Sequence, residues 1–202
     1  MRKGFFITGI AAAVVLAGAW YAFSRDAAPA SDREVATSVN QEDVPLTLRS
    51  STFTDGEVIP SKYTCDSGGD LNPQLSFEGV PTGTQSLVLI MDDPDIAQSV
   101  KTSRGIDAFD HWILFNITPT VTEIEEGSSV GTSGENGVGR SAYMGPCPPR
   151  GVQPTEHGYS FRLYALDTTL ALEQGASKQS VKAAMQGHVI EETELIGRYE
   201  RQ

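Results

Sequence analysis

The chain has 202 residues, 39% hydrophobic and 20% charged, with 20 glycines and 11 prolines. That length suits one domain with an appendage, and the glycine and proline content favours short strands and many turns over a helical bundle. A formal net charge of −11 argues against nucleic acid or an anionic membrane surface as a partner, so any bound anion must be held by local chemistry.

Arg2 and Lys3 precede an uncharged apolar run from Phe5 to Phe23, followed by Arg25, Asp26 and Ala27-Ala28-Pro29-Ala30. Residues 1–30 read as a hydrophobic helix, either a membrane anchor or a secretory signal peptide. The run approaches the ~20 residues that cross a bilayer core. Trp20 and Tyr21 near its far end suit a membrane interface, which favours the anchor. Ala28-Pro29-Ala30 supplies the A-x-A site of the alternative. Both readings export the domain, on a bacterial pattern, to the periplasm or outside the cell. It is then either tethered to the inner membrane or soluble after cleavage. Residues 31–45 are polar and without a sustained period, and read as a linker. The folded domain is expected at 46–202.

Within it, Leu46, Leu48 and Phe53 mark a first strand-like segment. Ser86–Met91 is a short apolar run bounded by Pro81-Thr82-Gly83 and Asp92-Asp93-Pro94-Asp95, as expected of a buried strand. His111–Ile117 is a second such run, stopped by Pro119, and Tyr159–Ala165 alternates like a third. Gly127–Gly151 is rich in Gly, Pro and Ser and is expected to be a long loop. One helix is expected, from Ser177 as N-cap to Glu192, because Val181, Ala184, Met185, His188 and Val189 recur at helical spacing. Leu195, Ile196 and Tyr199 suggest a short closing strand. The pattern is mainly β with peripheral helix.

Some matches carry little. Gly127-Ser128-Ser129-Val130-Gly131 fits G-x-S-x-G, but no helix can follow it, so a hydrolase elbow is not expected. Asn116-Ile117-Thr118 is a formal glycosylation acceptor at the end of an apolar strand and reads as incidental. There is no P-loop and no dinucleotide fingerprint, and no cofactor is expected. Cys65 and Cys147 are the two cysteines. Export permits a bridge between them, and the sequence leaves the pairing open.

The informative feature is the placing of three polar clusters. Asp92-Asp93-Pro94-Asp95 ends one strand, Asp110-His111-Trp112 opens another, and Glu156-His157-Gly158-Tyr159 opens a third. In an antiparallel sheet these ends share a rim. Two imidazoles and a phenol can donate to a phosphate-like anion, and a carboxylate beside them would fix a tautomer or keep a histidine charged. Two alternatives stand beside this reading. The aspartates can be turn formers around Pro94, and two His with one Asp can form a metal triad. His188 is read as structural.

Asp93-Pro94-Asp95, Asp110-His111-Trp112, Gly145-Pro146-Cys147-Pro148-Pro149 with Gly151, and His157-Gly158-Tyr159 occur in the order seen in the phosphatidylethanolamine-binding proteins. Tyr63-Thr64-Cys65-Asp66, Asn72-Pro73, Gly134-x-Asn136, Gly187-His188 and Leu195–Tyr199 add to the match. The chain resembles that family, in particular its bacterial branch, often called Raf kinase inhibitor-like. The resemblance implies a β-sandwich-like fold with a large central antiparallel sheet and few helices. It also implies an anion pocket at one rim, lined by Asp93, Asp95, His111, His157 and Tyr159, with Cys147 and Pro148 in the wall. Cys147 stands where eukaryotic relatives often have glycine. Ile96-Ala97 replaces the family's common Ala-Pro after the Asp-Pro-Asp. The expected function is a binding or regulatory module for phosphate or a phosphorylated head group, on a small molecule, phospholipid or protein partner, with no catalytic or metal-ligating residue assigned. The competing reading is a hydrolase using an Asp–His–His site for acid–base or metal-assisted chemistry.

Overall fold

The computed structural model describes residues 44–202. The expected anchor or signal peptide at 1–30 lies outside the described residues, as does the linker up to residue 43. No helix among the described residues is long and apolar enough to cross a membrane.

Among the described residues, eight strands form two antiparallel sheets. The smaller joins β1 (Thr47–Arg49), β2 (Leu75–Glu78) and β5 (Glu123–Ile124) in the order β1-β2-β5. The larger joins β3 (Ser86–Asp93), β4 (Phe109–Ile117), β6 (Thr132–Ser133), β7 (Glu156–Leu166) and β8 (Val189–Glu200) in the order β6-β4-β3-β7-β8. The described α-helices, α1 (Gln98–Arg104) and α2 (Lys178–Met185), lie between strands.

Alternation along the strands of the larger sheet makes two cores. On one face Leu89, Met91, Trp112 and Phe161 pack with Leu48, Leu75 and Phe77 of the smaller sheet. On the other, Val88, Ile90, Ile113 and Phe115 pack with Val181 and Met185 of α2. Strand β3 is covered on both sides and all eight of its residues are buried, which is why its sequence is a continuous apolar run. Full burial of each large side chain contributes about 1.5–3 kcal/mol.

The helix expected at 177–192 is half that long. Ser177 caps it as anticipated, its hydroxyl accepting from the Ser180 N–H at 3.2 Å. The helix ends at Met185, and Gly187 takes φ +79°, a left-handed turn that suits glycine. From Val189 the chain is β8, paired with β7 along its whole length. The apparent helical recurrence of Val189 is accidental, since that side chain is 43% exposed. The closing strand expected around Leu195–Tyr199 therefore runs back through the second half of the predicted helix. His188 is off the helix and exposed, its Nδ1 2.8 Å from Asp167 Oδ1. Phe53 lies outside β1 and packs against Phe161, with ring centroids 5.8 Å apart. The 127–151 loop is irregular apart from β6, whose pairing with β4 the sequence did not announce. The Asn116 amide is bound at both ends to the backbone of Leu170, which gives that residue a structural task.

β8 is an edge strand. Its C-terminal half is covered by the segment around Gly56–Ile59, which exchanges backbone hydrogen bonds with Ile196 and Arg198. By alternation, Glu192 and Glu194 turn the same outward backbone groups to the open half of that edge.

Candidate functional site: a buried Asp–His–His–Tyr cluster

The strand register brings the three expected clusters to one rim. Asp92 pairs with Ser160 of β7 and with Asp110 of β4, and Met91 pairs with Trp112. The β3–β4 ladder shifts between Met91 and Asp92, so His111 is an extra residue in a β-bulge. A bulge re-aims a side chain out of strict alternation. Here it puts His111 on the same face as its neighbour Trp112, towards β7. The His111 ring meets Tyr159 edge-on, with centroids 5.2 Å apart. The His157 ring stacks on the other side of Tyr159 at 6.4 Å.

Asp93 shares this face. Its Oδ2 is 2.7 Å from His157 Nδ1, and its Oδ1 accepts from the Asp95 N–H at 2.8 Å. His157 Nε2 lies 3.1 Å from the carbonyl oxygen of Pro154. Both ring nitrogens of His157 thus face internal acceptors, and the ring is a strut of the site. His111 Nδ1 donates to the Met144 carbonyl at 2.7 Å, while Met144 N–H donates back to the His111 carbonyl at 3.0 Å. That bond leaves the neutral ring with its lone pair on Nε2. Burial pushes the His111 pKa down, opposed by the Met144 carbonyl and by the nearby charges of Asp93, Asp92 and Asp110.

Tyr159 is fully buried between the two histidines, and its hydroxyl has no hydrogen-bond partner. The Cys147 backbone approaches the phenol oxygen and favours its ionised form, but it offers the O–H no acceptor within hydrogen-bond geometry. Burial, then the Asp93 charge, push the Tyr159 pKa up, so the phenol is a neutral donor. A buried hydroxyl without a partner is uncommon in a folded protein and calls for an explanation.

The Gly145–Pro149 segment is tied down at several points. Cys147 is bonded to Cys65 in a disulfide. Beside it, Cys65 N–H donates to Pro146 O at 3.0 Å. Gly145 packs against the backbone of Tyr63 so closely that a Cβ would lie 2.3 Å from that carbonyl oxygen. Pro148 is buried and Cys147 half-buried, while Asp95 is exposed and accepts from the Gly158 N–H at 2.8 Å. The structure therefore gathers Asp93, His111, His157 and Tyr159, with Asp95 and the Cys147–Pro148 wall beside them.

On the opposite face of the sheet lies a cleft of about 550 Å³, bordered by Asp92, Asp110, Arg162, Lys178 and Lys182 among others. None of the expected site residues borders it, and sequence reasoning missed it, because its charged residues come from four separate elements. Among the described residues no group of three His, Cys, Asp and Glu side chains is arranged to hold a metal. The hydrolase reading gains no support from this geometry.

Comparison with known proteins agrees with the architecture. A family model described as phosphatidylethanolamine-binding protein matches residues 49–200. A UPF0098 protein of Methanothermobacter thermautotrophicus is 47% identical over 163 residues, covering 77% of this chain and 99% of the relative. Another from Chlamydia trachomatis is 41% identical over 157 residues, covering 77% and 99%. The crystal structure of a phosphatidylethanolamine-binding protein homologue from Chlamydia trachomatis superposes with a TM-score of 0.70 at 39% identity, covering 78% of this chain and 99% of that one. E. coli YbcL, described as a member of the mammalian family, gives 0.68 at 25% identity, covering 79% and 100%. The chain belongs to the phosphatidylethanolamine-binding protein family.

Proposed function

We propose that this protein is an exported, non-catalytic binding module whose Asp93–His111–His157–Tyr159 pocket takes a phosphate-like anion. The observation that carries this reading is the buried, unpartnered Tyr159 hydroxyl between the two histidines. It is a donor without an acceptor, and a phosphoryl oxygen is an acceptor. His111 would supply the second donor once protonated at Nε2. His157 would hold the floor through Asp93 and Pro154 and leave ligand contact to its neighbours. The anionic group is that of free phosphate, a phospholipid head group or a phosphorylated protein partner, all with the same terminal oxygens.

The basic, apolar start of the chain supports export to the bacterial periplasm or beyond, with the membrane anchor as the favoured form. The Cys65–Cys147 bridge fits an oxidising compartment.

The test is a calorimetric titration of the purified protein with phosphate and phosphoethanolamine, beside Tyr159→Phe and His111→Gln. The expected result is binding by the wild type, weakened in both variants. Folded wild-type protein that binds neither compound would overturn the proposal.

A further inference from the structure

His111 reaches the pocket face only because of the bulge, and something must hold that bulge. Its two flanks are an unfavourable pair. Asp92 and Asp110 sit directly opposite each other on β3 and β4, on the face away from His111. Like charges at such positions repel, and Asp92 is only 5% exposed. Left alone, the pair would push the strands apart at the residue beside His111.

Lys178 sits between them. Its Nζ donates to Asp92 Oδ2 at 3.1 Å and is in direct ionic contact with Asp110 Oδ1, a buried oxygen that has no hydrogen-bond partner. The Lys178 side chain is 19% exposed, unusually covered for a lysine. Arg162 on β7 approaches the other Asp92 oxygen at 3.4 Å and pairs with Glu194 at 2.9 Å. Lysine is a poor choice for the place Lys178 occupies. It is the first residue of α2, where the helix dipole disfavours a cation, and no acidic residue stands in that turn. The helix dipole does not account for it, but the two carboxylates do.

We infer that Lys178 is a positioning residue for the anion pocket. Its ammonium clamps Asp92 to Asp110 across the far face, fixes the bulge, and thereby holds His111 against Met144 and Tyr159. The backbone is the link. Asp92 and Asp93 are consecutive and face opposite sides, as do Asp110 and His111. Each strand thus carries one residue of the clamp and one of the pocket. The inference rests on the proposed anion pocket for its functional consequence, but its structural claim stands separately.

The experiment uses Lys178→Met, which keeps the aliphatic stem, Lys178→Arg, and the double variant Lys178→Met/Asp110→Asn, in which the repulsion is removed with the cation. Two readouts are taken on the full chain. One is phosphate affinity. The other is the ring ¹⁵N chemical shifts of His111, which report its Nδ1–H tautomer without any ligand.

In Lys178→Met, phosphate affinity should fall about tenfold, within the coupling range of residues in one network, and the Nδ1–H form should lose population. Arginine at 178 and the double variant should each restore both readouts to within about twofold. A folded Lys178→Met protein with an unchanged His111 tautomer would overturn the clamp. If that variant does not fold, the double variant decides: recovery of the fold and of the tautomer supports the clamp, and continued failure overturns it. Absence of phosphate binding in the wild type would count against the pocket, while the tautomer readout would still judge the clamp.

Discussion

His157 Nδ1 and Asp93 Oδ2 lie 2.7 Å apart with both side chains almost wholly buried. Breaking such a pair by removing one member is far more costly than omitting the pair altogether. Asp93→Ala should therefore destabilise the protein by about 3 kcal/mol. Asp93→Asn, which can still accept from the ring, should cost only about 1 kcal/mol. Urea unfolding monitored by tryptophan fluorescence measures both. Equal, small effects would show that the pair adds little to the fold.

Tyr159→Phe separates stability from binding. Deleting an unpaired buried hydroxyl removes a desolvated polar atom, so the unliganded variant should match or exceed the wild type in stability, by up to about 1 kcal/mol. Its phosphate affinity should nevertheless fall about tenfold, the loss of one ligand hydrogen bond. A destabilised variant with full affinity would place the hydroxyl's partner inside the protein instead.

His111 sets the pH dependence of binding and of stability in opposite senses. Burial lowers its pKa in the fold, so the unfolded chain takes up a proton first as pH falls. Its contribution to stability is thus present above the unfolded histidine value, about 6.5, and is lost as pH drops through the lower folded value. Binding runs the other way, because an anion draws the second proton onto the ring. Thermal stability of the unliganded protein should decline between about pH 7 and 5, while anion affinity rises over the same interval. Sulfate is the probe of choice, since it stays a dianion throughout. His111→Gln should flatten its affinity profile, and a wild-type profile already flat would remove His111 as a donor.

The Cys65–Cys147 bridge closes a loop with a sequence separation of 82 residues. Reduction should cost about 2–4 kcal/mol of stability. It should also weaken anion binding, because the bridge ties the Gly145–Pro149 wall to the turn at Cys65–Ser67. Denaturation and titration with and without a dithiol reductant, with thiols counted by intact mass, test both effects. Unchanged affinity in the reduced, folded protein would mean that the glycine packing at Gly145 alone holds the wall.

The rim was readable because antiparallel neighbours put the end of one strand beside the starts of two others, and Asp93, His111, His157 and Tyr159 occupied those ends. The bulge was not, since nothing in Asp110-His111-Trp112 marks an extra residue until β3 supplies the register. The commitment of both His157 nitrogens was hidden for the same reason, with Pro154 and Asp93 meeting the ring only in three dimensions. Nothing in the sequence marks Lys178, because its two carboxylate partners come from β3 and β4. The misjudged stretch of β8, Val189–Glu192, has no buried residue. With little apolar periodicity to read, the helical pattern of Val181 and Met185 was carried past Gly187. Bridging of the two cysteines depended on a close approach that spacing alone does not contain.

The open half of β8 sets a colloidal limit. Two copies meeting edge to edge would bring Glu191, Glu192 and Glu194 of each chain together, and that repulsion guards a strand otherwise ready to pair. Replacing the three glutamates with glutamine would remove that guard and leave exposed Val189 and Ile190 beside an edge that is unpaired among the described residues. Light scattering should show the wild type monodisperse and that triple variant associating, and equal behaviour of the two would mean that the edge is guarded by something other than these charges.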